Sequence, residues 1–507
     1  RLFIAQNVAM DLSGTAASGI AGALPGVTFT GSNDYKTFML YLSKLTIDQA
    51  VDLNDANSAY AQLEIANSSI DNASTMTGTN NRQVAIAQEN GDDPSGNGYD
   101  ANKVTLTNTA SGVINLTGDE STGIYAKRGL ITNDGQISVG KKSTGIYIVE
   151  DDRSPATATI GAKATNSSTG VITLGEDSTG MYYKVDPDNA DGRGTNTAIG
   201  GGIVNDGKIE STANNVIAMS FDSPYTSKTV KNEQSGIIDL QGQNSTGMFA
   251  TGTGSYTANN AGTIKLGDSA VANNPNVGVY TDNSNVLLTN TGDMEIGKKS
   301  VGIYGYNSQM NGGTLKVATD GIGLYSQAGN IDLNGGTIIL GDNDAVGAYV
   351  AGAGQTVTNN GTTLNIGKNS YGIVDAGTGN NVLLNSPVSL DEDSVYVYSN
   401  DATGSVINNS TITSINNKNY GIYSAGNVVN NGTIDFNNGA GNIGIYSLYG
   451  TTGTTGIARN NGIINVGASI PGQDYSIGMA AGFNGNATTP AFTGKVVNEG
   501  TINVKGS

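Results

Sequence analysis

The chain has 507 residues, among them 73 glycines, about twice the ordinary share, and no cysteine, histidine or tryptophan. Without Cys or His it can build no disulfide framework, thiolate nucleophile, ordinary zinc site or Ser-His-Asp triad, so any catalysis would have to run on carboxylates, Lys or Tyr. Its 25 basic and 43 acidic residues leave a net charge of −18 spread along the chain, a field that repels nucleic acid, and no apolar run approaches the ~20 residues of a membrane-spanning helix.

The chain opens on Arg1 with no charged and apolar leader, which is expected of a mature or excised piece. "RLFIAQNVAM" has the composition of a strand that starts or caps the fold. "YKTFMLYLSKL" from Tyr35 and "AYAQLEIA" from Ala59 carry apolar residues at mixed helical spacing, and "TIDQ" at Thr46 has the form of a capping box. "QENGDDPSGNGYD" from Gln88 is a polar connection. Residues 1–103 are therefore expected to form an N-terminal cap with a small helical subdomain.

From residue 104 to 507 one repeat organises the chain. Its first half reads Asn-x-Gly-x-Ile-x-Val-Gly, as in "NDGQISVG" from Asn133, "NAGTIKLG" from Asn260 and "NNGIINVG" from Asn460. Its second half is "ESTGIYAK" from Glu120, returning as "KSTGIY" at Lys142, "DSTGMYYK" at Asp177 and "NSTGMF" at Asn244. A third apolar run follows in many copies, such as "NVLLTN" from Asn285. Most steps between the second-half glycines, for example Gly123 to Gly145, take 21 to 25 residues.

Inside each segment the apolar period is two, as at Ile137 and Val139 or Ile264 and Leu266, which is strand alternation. Three short strands joined by Asn/Gly/Asp turns and repeated at this interval predict an all-β chain: a right-handed parallel β-helix of about 14–16 rungs, three strands per rung. Glycine and asparagine suit corners that need positive φ, and stacked asparagines can hydrogen-bond along a ladder.

The same period applied to "STGIY" places Thr122 and Ile124 on the core face. Gly123 and the aromatic residue then share the outer face, with the glycine leaving room for the ring. The outward ladder comprises Tyr125, Tyr147, Tyr182, Phe249, Tyr280, Tyr304, Tyr325, Tyr349, Tyr423 and Tyr446. Ring stacking along the shaft accounts for it structurally; contact with a sugar or partner protein is the alternative.

Length variation falls after the tyrosine, so insertions are expected to stack along one edge, where recognition loops usually sit. The candidate receptor-binding residues lie there: Asp151, Asp152 and Arg153; Tyr183, Asp186, Asp188, Asp191 and Arg193; and Tyr225 in "FDSPYTSK". "DPDNADG" at Asp186 misses the carboxylate spacing of a calcium loop, and Thr197 stands where a bidentate Glu would be, so a solvated acidic loop is the better account. No metal, cofactor or catalytic residue is expected.

The phrases "NNGTI" at Asn430 to Ile434 and "STGIY" at Ser121 to Tyr125 resemble the passenger domains of fusobacterial type V autotransporter adhesins, the RadD-like group. The resemblance covers residues 104–507. It implies a β-helical stalk at the bacterial cell surface, held in the outer membrane by a C-terminal β-barrel outside this chain, that attaches to host cells or other bacteria. Partners would be a host-cell receptor or glycan, or a surface protein of another bacterium, with no nucleic acid and no membrane insertion by this piece. Two further expectations compete: a structural spacer of a larger adhesin, and a carboxylate-based polysaccharide lyase or glycosidase, against which adjacent pairs such as Asp92-Asp93 point to opposite sides of a strand.

Overall fold

The computed structural model describes residues 105–151, 161–186, 201–271, 274–448 and 457–505, apart from positions 128, 227, 470, 473, 487, 489–490 and 492. Before residue 105 it describes 2–6, 9–11, 37–41, 44–48, 50–54, 64–65 and 69–88. Every regular element among them is a strand. Contacts group the chain into two compact units, Arg1–Lys265 and Leu266–Ser507.

In the first unit one rung consists of Thr105–Asn108, Val113–Leu116 and Thr122–Lys127, and the next of Leu130–Asn133, Gln136–Val139 and Thr144–Asp151. Each strand pairs in parallel with its counterpart one turn on, like residue over like: Leu106 beside Ile131, Ile114 beside Ile137, Ile124 beside Ile146. The third column continues through Met181, Met219 and Met248. These side chains are fully buried, and each contributes about 1.5–3 kcal/mol by leaving water, so the core is a stack of columns within a parallel β-helix.

The second unit repeats the plan. Leu324, Ala348, Ile373, Val397, Ile422 and Ile445 form its third-strand column, while Leu315, Ile338, Leu364, Val388, Ile412 and Ile434 form the second. Among the described residues, sixteen strands are of the third kind; fourteen fall in the expected shaft from residue 104 on, and two, Glu64–Ile65 and Val84–Gln88, precede it.

Buried asparagines close the corners after the first strand. In the first unit Nδ2 of Asn72, Asn108, Asn133 and Asn166 each donates at 2.8 Å to Oδ1 of the asparagine one rung on, and Asn205 and Asn232 continue the ladder at 2.7 Å as far as Asn260. In the second unit Nδ2 of Asn408, Asn430 and Asn460 donates likewise to Oδ1 of the asparagine one rung on, at 2.7 to 2.9 Å, the last acceptor being the exposed Asn498. Such groups are tolerated in a dry column because each donor finds an acceptor.

Three expectations change. The N-terminal segment is not helical where it is described: Thr37–Tyr41 pairs with Leu2–Gln6, and Lys44–Ile47, which contains the capping-box Thr46, pairs with Ser69–Asn72. Lys44–Ile47 has a second parallel partner in Ala9–Asp11, and this tertiary pairing overrides local spacing. Most of the segment from Ala59 and the Gln88 connection lie outside the described residues.

The facing of "STGIY" also differs at its first half. Thr122 is half-buried, whereas Gly123 and Ile124 are both buried and Tyr125 is half-buried again. Alternation therefore slips at the glycine, which turns toward the core: a Cβ there would lie 2.5 Å from the Gly145 carbonyl oxygen and 2.9 Å from Ile137 Cγ2. The glycine serves close approach between rungs and does not make room for the ring.

Finally, positive φ sits one residue ahead of the Ser-Thr-Gly, at Glu120 (56°), Lys142 (53°), Asp177 (59°) and Asn244 (53°). Gly135 of the Asn-x-Gly phrase is required by contact instead, since a Cβ would fall 2.2 Å from the Gly112 carbonyl oxygen.

Candidate recognition surface

The outward face of the third strands is aromatic. In the first unit Tyr125 meets Tyr147 edge to face at 5.4 Å, and Tyr147 stacks on Tyr182 at 4.9 Å and 19°. The next register position is Ser220, then Phe249. In the second unit Tyr280 approaches Tyr304 edge-on at 5.4 Å, while Tyr304, Tyr325 and Tyr349 form a stack with centroids 4.7 and 5.2 Å apart. After Val374 the stripe resumes as Tyr398, Tyr423 and Tyr446, spaced 5.2 and 5.3 Å.

Where these in-register neighbours stack, each ring covers much of the next one's flat face. What they offer outward is a row of ring edges and hydroxyls. Partial burial, reinforced by neighbouring tyrosines or aspartates, holds the hydroxyls of Tyr182, Tyr280, Tyr325 and Tyr423 above the ordinary phenol range, so they stay neutral donors and acceptors at physiological pH.

Tyr371 and Tyr420, which occupy the Thr122 position, point outward as well and meet Tyr398 and Tyr423 edge-on at 6.2 and 6.1 Å. They were expected in the core, and the slip at the glycine turns them out. Tyr398 escaped the sequence search because "SVYVYS" has Tyr396 in place of the glycine. That ring enters the core: Tyr396 is fully buried, its hydroxyl accepts from Asn359 Nδ2 at 3.2 Å, and burial pushes its ionisation far up.

The loop edge is described in part. Asp151 and Asp186 end paired strands, Asp151 beside Asp186, so the two insertions leave from adjacent rungs. Asp152, Arg153, Asp188, Asp191 and Arg193 lie outside the described residues. Tyr225 is half-buried, with the Lys228 ammonium 5.9 Å from its ring centroid.

Tyr183 is no receptor contact. It is fully buried, stacked on Phe221 at 4.6 Å and 15°, with its hydroxyl donating to Glu150 Oε2. Alternation from the outward Tyr182 places Tyr183 inside, and from Tyr147 it places Glu150 inside, so both positions were readable. Lys228 closes the cluster from 78 residues away, its Nζ 2.6 Å from Glu150 Oε1, with side-chain exposures of 0% for Lys228 and 3% for Glu150. Burial and then the Glu150 charge hold the Tyr183 hydroxyl firmly protonated.

The second unit also has an open groove of about 430 Å³ on the outer face of its second strands. Ile339 and Ile415, 37% and 73% exposed, line it together with Asp342 and Asp391. Asn416 Nδ2 donates to Asp391 Oδ1 at 2.7 Å. Among the described residues no three acidic side chains gather as metal ligands, and no helix is long and apolar enough to cross a membrane.

No characterised protein and no solved structure matches the chain. Residues 186–321 and 308–507 each match the family model described as the BigA third pectate lyase-like domain. The two stretches overlap, as a ladder of equivalent rungs allows, and together they span more than half of the chain. The parallel β-helix of each unit agrees with this match, and the match shows that the protein belongs to the family of the third pectate lyase-like domain of BigA.

Proposed function

We propose that the protein is a surface adhesin domain that attaches a bacterium to host cells or to other bacteria through the outer edge of its β-helix. The observation that carries the reading is its membership of a family drawn from an adhesin-like bacterial surface protein. The outward tyrosine stripes support it: they put ring edges and hydroxyls on rigid strands, with stacked ring centroids 4.7 to 5.3 Å apart, and tyrosine forms contacts at low entropic cost. The resemblance of "NNGTI" and "STGIY" to fusobacterial autotransporter passengers adds export through an outer membrane and anchoring by a β-barrel outside this chain. The partner is a glycan or protein receptor of neutral or basic character, since the net charge is −18. No catalytic role is assigned.

The test is binding of the purified chain to host and bacterial cells, with the triple variant Tyr304→Ser, Tyr325→Ser, Tyr349→Ser alongside. Saturable binding by the parent chain that weakens in the variant supports the reading. No binding by the parent chain would favour a stalk that carries its head elsewhere. The pectate lyase-like family name gives one observation in favour of a carbohydrate-cleaving reading, which release of unsaturated or reducing ends from acidic and neutral glycans would establish.

A further inference from the structure

We propose that Glu150 and Lys228 condense into an intramolecular amide, a covalent cross-link that spans the intervening Tyr183 rung at the root of the loop edge. The two side chains meet at 2.6 Å, 78 residues apart in sequence, and are the one buried ion pair among those described. Every other described pair has side chains at least 31% exposed. Burying two charges is costly even when they pair, and the cluster brings together what the reaction needs: an amine, a carboxyl group and a hydroxyl on the carboxyl's second oxygen.

The walls hold the groups in place. Phe221 stacks on Tyr183, and Tyr256 meets Phe221 edge-on at 5.0 Å. A Cβ on Gly201 would lie 2.9 Å from Glu150 Oε2, which leaves the carboxyl group little freedom on that side. Three rungs supply the groups: Glu150 from Thr144–Asp151, Tyr183 from Thr179–Asp186, and Lys228 just before Thr229–Asn232. Fixed contact of this kind replaces a bimolecular encounter by a unimolecular one.

In the step itself the ammonium passes one proton to the carboxylate it contacts. Lys228 Nζ then attacks Glu150 Cδ, forming the C–N bond. Tyr183, whose hydroxyl burial and the adjacent carboxyl keep protonated, gives its proton to the departing Oε2 and regains one from Nζ. The C–O bond breaks, the proton held on Oε1 passes to the departing oxygen as the carbonyl forms, and one water leaves. Ammonium and carboxylate become amide and water, with no change of oxidation state and no co-reactant, and exclusion of water opposes hydrolysis.

Intact mass of the purified, denatured chain tests this. The expected mass is below the sequence mass by one water, and proteolysis yields a joined peptide pair containing Glu150 and Lys228. Lys228→Arg keeps the charge pair but cannot form the product in this way, so it returns to the full sequence mass while its far-ultraviolet dichroism stays that of the parent. Tyr183→Phe slows conversion, giving a mixture that shifts with time. Parent chain at full sequence mass after prolonged incubation, or a lost water that maps elsewhere, would overturn the proposal whatever the variants do.

Discussion

At one rung the repeat and the structure give opposite advice. Twelve copies of the Gly-aliphatic phrase make glycine the consensus where Tyr396 stands, and consensus substitution usually stabilises. Tyr396 is nevertheless fully buried in the core, with Cδ2 2.7 Å from where a Cβ on Gly372 would sit, and its hydroxyl holds the Nδ2 of Asn359, itself fully buried. The rung below compensates in kind, since Leu384 replaces the asparagine that would otherwise face Asn359. Tyr396→Phe strands a buried donor and is expected to cost about 1–3 kcal/mol. Tyr396→Gly strands the donor and also empties an aromatic volume, for about 3–5 kcal/mol. Because stability in stacked repeats is a sum of local terms, the assay pairs urea denaturation with hydrogen exchange. The loss of protection should centre on Thr356–Asn359, Asn381–Leu384 and Val395–Ser399. If the glycine variant proved as stable as the parent, the ring would not be filling the core.

Gly123→Ala forces a Cβ to 2.5 Å from a carbonyl oxygen that cannot move without its strand, so a loss of roughly 1–3 kcal/mol is expected in denaturant titration. Asn166→Ala removes both an acceptor for Asn133 and a donor to Asn205; at about 1–3 kcal/mol per stranded group, it should lower the midpoint more than removal of the exposed Asn385, which bonds Asn360 at the surface. Asp401 is buried and, against the upward push of burial, backbone and side-chain donors from Asn380, Gly379 and Thr403 hold its carboxyl below the ordinary value of 3.8. A lowered folded-state value means that its contribution is complete above pH 3.8 and is lost as pH falls through the folded value. Urea midpoints measured from neutral pH down to the acid range should therefore fall less steeply in Asp401→Asn than in the parent.

The strand period and the rung interval were legible in the residues themselves, because a β-helix is locally periodic: Ile124 inside, Tyr125 outside and asparagine over asparagine follow from two-residue alternation and in-register stacking. The same alternation, carried one residue past Tyr182 and three past Tyr147, also encodes the burial of Tyr183 and Glu150. Three things were decided only in the folded chain. The strands at Thr37–Tyr41 and Lys44–Ile47 arise from parallel partners that local spacing does not reveal. Gly123 faces inward because another rung's carbonyl and Ile137 leave space for nothing larger, a constraint set by neighbours 22 and 14 residues away in sequence. And Lys228 reaches Glu150 across 78 residues, a meeting that depends on how many rungs the intervening chain winds, which no local pattern records.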